Sequence, residues 1–211
     1  MNRKAETAYT PSEELANAVT HGVGAVLSVI ALVAMIIRSG GPWKVLAVSV
    51  FGASLILLYT SSTLYHAFPW PRVKKVFQTF DHVTIYLLIA GSYTPFALVT
   101  FGGTMGWAIF GVIWTLALGG TLFELLSRGK KWKIALFFYL GMGWIALFFI
   151  KSLVELLPTW GMTLLVAGGL LYSLGTIFYA WKSLPFNHAL WHLFVLGGSA
   201  AHFFCIMDSV L

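Results

Sequence analysis

VLAVSVFGASLILLYTSSTLYH, residues 45 to 66, carries no charged side chain and meets its first ionisable group only at His66. A helix over so long a stretch would span roughly 30 Å, the thickness of a bilayer's hydrocarbon core. It contains one glycine and no proline, so nothing in it breaks such a helix. The polar group at its end, SSTLYH, is what the rest of the chain has to explain.

Six further runs of this kind occur, making seven: 19–37, 45–65, 83–100, 107–126, 134–153, 161–181 and 189–210. The joints between them are short, as in RSGGPWK, TFGGTMG and SRGKKWK. The 211 residues are 59% hydrophobic and 9% charged, with a mean hydropathy of +0.85, which excludes an ordinary soluble domain. The expected fold is all-α: one domain over 1–211, seven transmembrane helices in a bundle. No internal repeat stands out. Cys205 is the only cysteine, so neither an internal disulfide nor a thiolate metal cluster is available.

Residues 1–18 are expected to form a cytoplasmic arm with a short helix, without the apolar core and small-residue cleavage pattern of a signal peptide. In that arm Thr10 is the expected cap, Pro11 the first helical residue and Glu13 the partner that closes a capping box. Ten basic residues fall in the arm and in the second, fourth and sixth joints, namely Arg3, Lys4, Arg72, Lys74, Lys75, Arg128, Lys130, Lys131, Lys133 and Lys182. Three fall on the other side, Arg38, Lys44 and Lys151. This asymmetry predicts a cytoplasmic N-terminus and an external C-terminus. Trp43, Trp107 and Trp160 would mark the outer interface and Trp70, Trp132 and Trp181 the inner one. A net charge of +6 then reflects joints facing an anionic leaflet and calls for no nucleic acid.

With that orientation, polar residues can be placed in depth. Ser62 and His66 end the second helix, Asp81 begins the third, and His188 and His192 begin the seventh. All lie at the cytoplasmic face. Ionisable groups inside a membrane segment are costly and face a cavity or a partner. His188 and His192, four apart, share one helix face and can grip one ion. Three neutral imidazoles with an open position are the ligand set of a catalytic zinc site, and neither thiolates nor an all-oxygen shell are on offer here. His202 lies ten positions beyond His192, about 15 Å along the axis, too far to share the metal, and is expected to make a buried hydrogen bond. His82 should face away from Asp81, Glu124 and Arg128 form an i, i+4 pair, and Pro95 should kink the third helix.

Taken together, ELANAVTHGVG (14–24), SSTLYH (61–66), FDHVTIYLLIAGSYTP (80–95) and HALWHLFVLGGSAAHF (188–203) resemble the bacterial hemolysin III proteins, within the progestin and adipoQ receptor family of seven-helix membrane proteins. The resemblance implies a zinc ion held by His66, His188 and His192, with Asp81 reaching it through a water and Ser62 orienting from one turn away. It matches Glu14, Asn17 and His21 to an E-x-x-N-x-x-T-H pattern, read as groups that support the ligands or rim the cavity. The family is similar to alkaline ceramidases, and its adiponectin receptor members are linked to ceramide hydrolysis. Three functions follow as expectations: a zinc-dependent lipid hydrolase acting near the inner leaflet of the bacterial plasma membrane, a sensor of membrane lipid state with a structural zinc, and a cytolysin. Membrane lipids are the expected partners in each.

Overall fold

The computed structural model describes residues 9–127 and 130–211. Among them every regular element is helical, and seven spans are long and apolar enough to cross a membrane. Helix α1 is Pro11–Arg38, α2 is Pro42–Ala67 and α3 is Pro71–Pro95, with a π-helical extension at Phe96–Phe101. Helix α4 is Gly103–Ser127. The fifth span is composite: α5 at Trp132–Gly143, a 3-10 segment at Trp144–Phe149, then α6 at Ile150–Leu156. Helices α7 (Thr159–Ala180) and α8 (Asn187–Ser209) complete the bundle.

The N-terminal capping box forms as expected: the Glu13 amide donates to Thr10 Oγ1 at 3.3 Å and the Thr10 amide to Glu13 Oε2 at 2.9 Å. The short arm helix, however, is not a separate element. From Pro11 onward it is the start of α1, which runs unbroken to Arg38, because no proline or positive-φ glycine interrupts 12–38. Arg3, Lys4 and Glu6 lie outside the described residues.

Two spans depart from plain α-helix. Pro95 has no amide hydrogen to donate, and the ladder after it widens into the π turn rather than ending. In the fifth span the glycines of LGMGW, residues 140–144, give little helix preference, and the ladder tightens at Trp144. There the Trp144 indole donates to Ser173 Oγ on α7 at 2.9 Å.

Helix α1 packs on α2 and α8, α2 on α3, and α7 on α8. Phe51, Tyr59, Met35 and Ile206 fill the seams and are almost fully buried. With lipid outside, such packing rather than water exclusion holds spans together. At Gly168 of α7 a Cβ would collide with the His202 ring, so the absence of a side chain there is what lets α8 approach. By contrast the fifth span is far less buried than the third: 11% against 61% of the residues in an 18-residue apolar window of each. This loose packing leaves room between α3, α5, α7 and α8 for the cavity described below.

Candidate metal centre

Three local features bring three histidines to one end of the bundle. Helix α2 stops at Ala67 because Pro69 and Pro71 follow, and this leaves His66 in its last turn. Helix α8 starts after Phe186, whose φ of 56° is left-handed, a conformation costing a non-glycine residue about 1 kcal/mol or more. That turn is offset by two ties: the Phe186 amide donates to Glu13 Oε1 at 3.0 Å, and Asn187 Nδ2 donates to the Phe178 carbonyl at 3.0 Å. His188 and His192 therefore project from the first turns of α8.

His66, His188 and His192 are buried and each offers one ring nitrogen within 4.8 Å of the others. Their ring centres are 4.5, 5.0 and 5.4 Å apart. Helix α1 supplies the supports. The Glu14 carboxylate, which can only accept when ionised, lies 2.6 Å from His66 Nδ1, so Nδ1 carries the proton. His192 Nδ1 lies 3.2 Å from the Asn17 carbonyl oxygen, again an acceptor, and 3.1 Å from Thr20 Oγ1. Thr20 directs its own hydrogen to the Ala16 carbonyl at 2.8 Å and can accept from His192. Both Nε2 atoms are thereby left with free lone pairs, the arrangement that histidine ligands take on a metal.

The donor set fits such an ion. His66 Nε2 and both nitrogens of His188 are buried with no hydrogen-bond partner among the described residues. An unsatisfied buried nitrogen is costly, and a cation would relieve it. The set is all imidazole, as suits zinc, copper, iron or nickel rather than calcium.

The remaining residues fall around this trio. Asn17 also places its side-chain amide 3.4 Å from His66 Nδ1. Glu14 holds Lys74 as well, at 2.7 Å. His21 stacks on His192 with ring centres 3.4 Å apart, and neither of its nitrogens is hydrogen-bonded. Ser62 is fully buried one turn from His66, with its hydroxyl turned toward the Asp81 carboxyl group. Asp81 stands outside the trio but is buried and lines the same cavity as His188 and His192. Tyr9 lies over the centre, 5.1 Å from the His188 ring and 5.8 Å from that of His66. Burial holds its phenol well above the ordinary range, so it stands there as a neutral hydroxyl. Tyr9 escaped the sequence reading, whereas Thr20 stood in the E-x-x-N-x-x-T-H stretch without a role assigned to it.

Elsewhere, His202 Nε2 meets the Leu165 carbonyl at 3.3 Å, the buried hydrogen bond expected of it. Glu124 turns to His82 on α3, with Oε1 2.8 Å from Nδ1, so it serves an interhelical pair. Its expected partner Arg128 lies outside the described residues.

From the centre a cavity of about 1200 Å³ of empty space, its open mouth included, extends between α3, α5, α7 and α8. Asp81, His188 and His192 lie at one end and His202 and Trp144 at the other, while Leu88, Ile89, Leu136 and Val195 make the wall largely apolar. A second cavity shares Tyr93, Trp144 and His202 with the first and continues toward Phe101 and Met162.

The comparisons with known proteins agree with this architecture. The model of the family described as Haemolysin-III related matches residues 9–203. Hemolysin-3 of Bacillus cereus is 51% identical over 202 residues, covering 94% of this chain and 92% of that protein. The Hemolysin-3 homolog of Bacillus subtilis is 47% identical over 202 residues, with 94% and 95% covered. The human Monocyte to macrophage differentiation factor is 32% identical over 206 residues, with 94% and 85% covered. A family match over nearly the whole chain, on seven spans with three buried histidines at one end, makes this multi-pass membrane protein a member of the haemolysin-III related family.

Proposed function

We propose that the protein is a zinc-dependent hydrolase of membrane lipids, cleaving an amide or ester close to the inner leaflet. The observation that carries this reading is that His188 and His192 of the imidazole trio line an apolar cavity whose wall also presents Asp81. A structural ion needs no such cavity beside it, whereas a lipid substrate needs a place for its acyl chain.

Zinc, when bound by His66, His188 and His192, would supply a Lewis acid and a water that ionises near neutral pH. Asp81, buried at the cavity wall, takes the proton from the attacking water, a role commonly contributing about 10² to 10⁴ in rate. Ser62, beside Asp81, would help orient that water or the substrate carbonyl. Glu14, Asn17 and Thr20 hold the imidazoles in the tautomer that leaves Nε2 available. The apolar wall seats the chain and keeps bulk water from the reacting groups.

One observation favours a sensor with a structural ion: the centre gathers α1, α2 and α8, so metal occupancy would brace three spans. The name of the Bacillus relatives points to cytolysis, which we read as a consequence of loading a membrane with the protein.

The deciding experiment is reconstitution in vesicles with ceramide-like and phospholipid substrates, following fatty acid release by wild type and Asp81→Asn at matched zinc content. Release by wild type that falls about 10²-fold or more in the variant supports the hydrolase. A zinc-loaded wild type that releases none across the panel leaves the sensor.

A further inference from the structure

We propose that Lys182 makes the mouth of the large cavity a docking place for an anionic, phosphate-bearing lipid headgroup, so that the occupant is a charged amphiphile. The inference builds on the cavity being a lipid site, not on hydrolysis.

At the histidine end, the cavity lining includes Trp132 of α5 and Tyr179 of α7. Lys182, just past α7, carries its Nζ 4.1 Å from the centre of the Tyr179 ring and 5.5 Å from that of Trp132. Lys133 Nζ also lies over Trp132, at 5.6 Å. Two lining rings thus hold cations above them, an attractive arrangement that positions an ammonium without neutralising it. Neither Lys133 nor Lys182 has a carboxylate in ion-pair reach among the described residues.

Lys74, the other cation beside the centre, shows the contrast. Its charge is met by Glu14 at 2.7 Å, and it donates to the Tyr65 carbonyl at 2.9 Å. Lys74 is therefore compensated internally, while Lys182 beside the centre, like Lys133 farther along Trp132, is left for something external. The Tyr179 ring that carries Lys182 lies 5.7 Å from the His188 ring, so a headgroup docked at Lys182 is one ring away from the trio. An anion there satisfies the ammonium's donors, while the attached chain meets the apolar wall.

Lysines at any membrane interface attract anionic lipid diffusely. What is particular to Lys182 is its seat over rings that line the cavity, and the test separates the two. Purified protein in zwitterionic nanodiscs would be titrated with spin-labelled phosphatidic acid and with the spin-labelled diacylglycerol of the same chains, reading tryptophan quenching. Wild type should favour the phosphatidic acid. Lys182→Met, which keeps an apolar stem over the rings, should weaken it about fivefold and leave the diacylglycerol unchanged. Lys75→Met, at an exposed lysine on α3, should change neither.

Equal affinity of wild type for the two lipids, an equal drop for both in Lys182→Met, or the same drop in Lys75→Met would overturn the proposal. Displacement of the phosphatidic acid by millimolar inorganic phosphate would mean a free-anion site and would also overturn it. The wild-type comparison stands even if a variant fails to fold. Because the readout is binding, failure of the hydrolase reading would leave it intact.

Discussion

His66 Nδ1 and the Glu14 carboxylate meet at 2.6 Å although 52 residues separate them, and this contact decides which nitrogen of His66 can bind an ion. Removing the carboxylate's charge should be felt at the metal. Glu14→Gln should lower zinc affinity about 10- to 100-fold while keeping the fold, since partners of ligating histidines commonly contribute that much. Competition with a calibrated chelator would measure it, and an unchanged affinity would remove Glu14 from the centre.

The trio itself makes a stronger claim. Purified wild type should carry about one zinc per chain, and His192→Ala should lose most of it. Because the ion would join α2 to α8, chelation of wild type should also lower the melting temperature, and chelation of the variant should not. Elemental analysis with unchanged zinc in His192→Ala would refute the assignment.

Away from the centre, the His82 and Glu124 pair ties α3 to α4 with Glu124 almost fully buried. Glu124→Ala removes one partner of this interhelical contact and should cost on the order of 1 to 3 kcal/mol, with zinc content unchanged. Thermal unfolding in detergent, together with metal analysis, checks both halves. A loss of zinc equal to that of His192→Ala would show that this pair belongs to the metal centre.

Orientation can be measured separately. The ten to three distribution of basic residues predicts that reporters fused after Lys75 and Lys131 behave as cytoplasmic and one at Leu211 as external. A cytoplasmic C-terminus would move the histidine end to the outer leaflet.

The seven spans were legible because each apolar run is long enough to cross a bilayer and the joints between runs are too short to hide another element. The histidine trio was legible for a related reason. In an uncharged background each ionisable residue stands out, and topology alone puts the ends of α2 and the start of α8 at one face. Less visible were the interruptions. The glycine pair of 140–144 weakens the helix locally but does not say that the ladder tightens at Trp144, because such pairs are tolerated in many membrane helices; the Trp144 contact to Ser173 on α7 is seen only in the fold.

The sequence by itself determined the number of spans, the capped start at Pro11 and the residue types available to a metal, since hydropathy, capping and ligand chemistry are properties of short segments. Only the tertiary structure decided that Glu14, Asn17 and Thr20 set the histidine tautomers, that Glu124 serves His82, and that Lys182 rests on two rings of the cavity wall. Those relationships depend on the rotation of each helix about its axis. Within a membrane that rotation is chosen by packing against neighbours, because lipid on every side gives an apolar helix no preferred outward face.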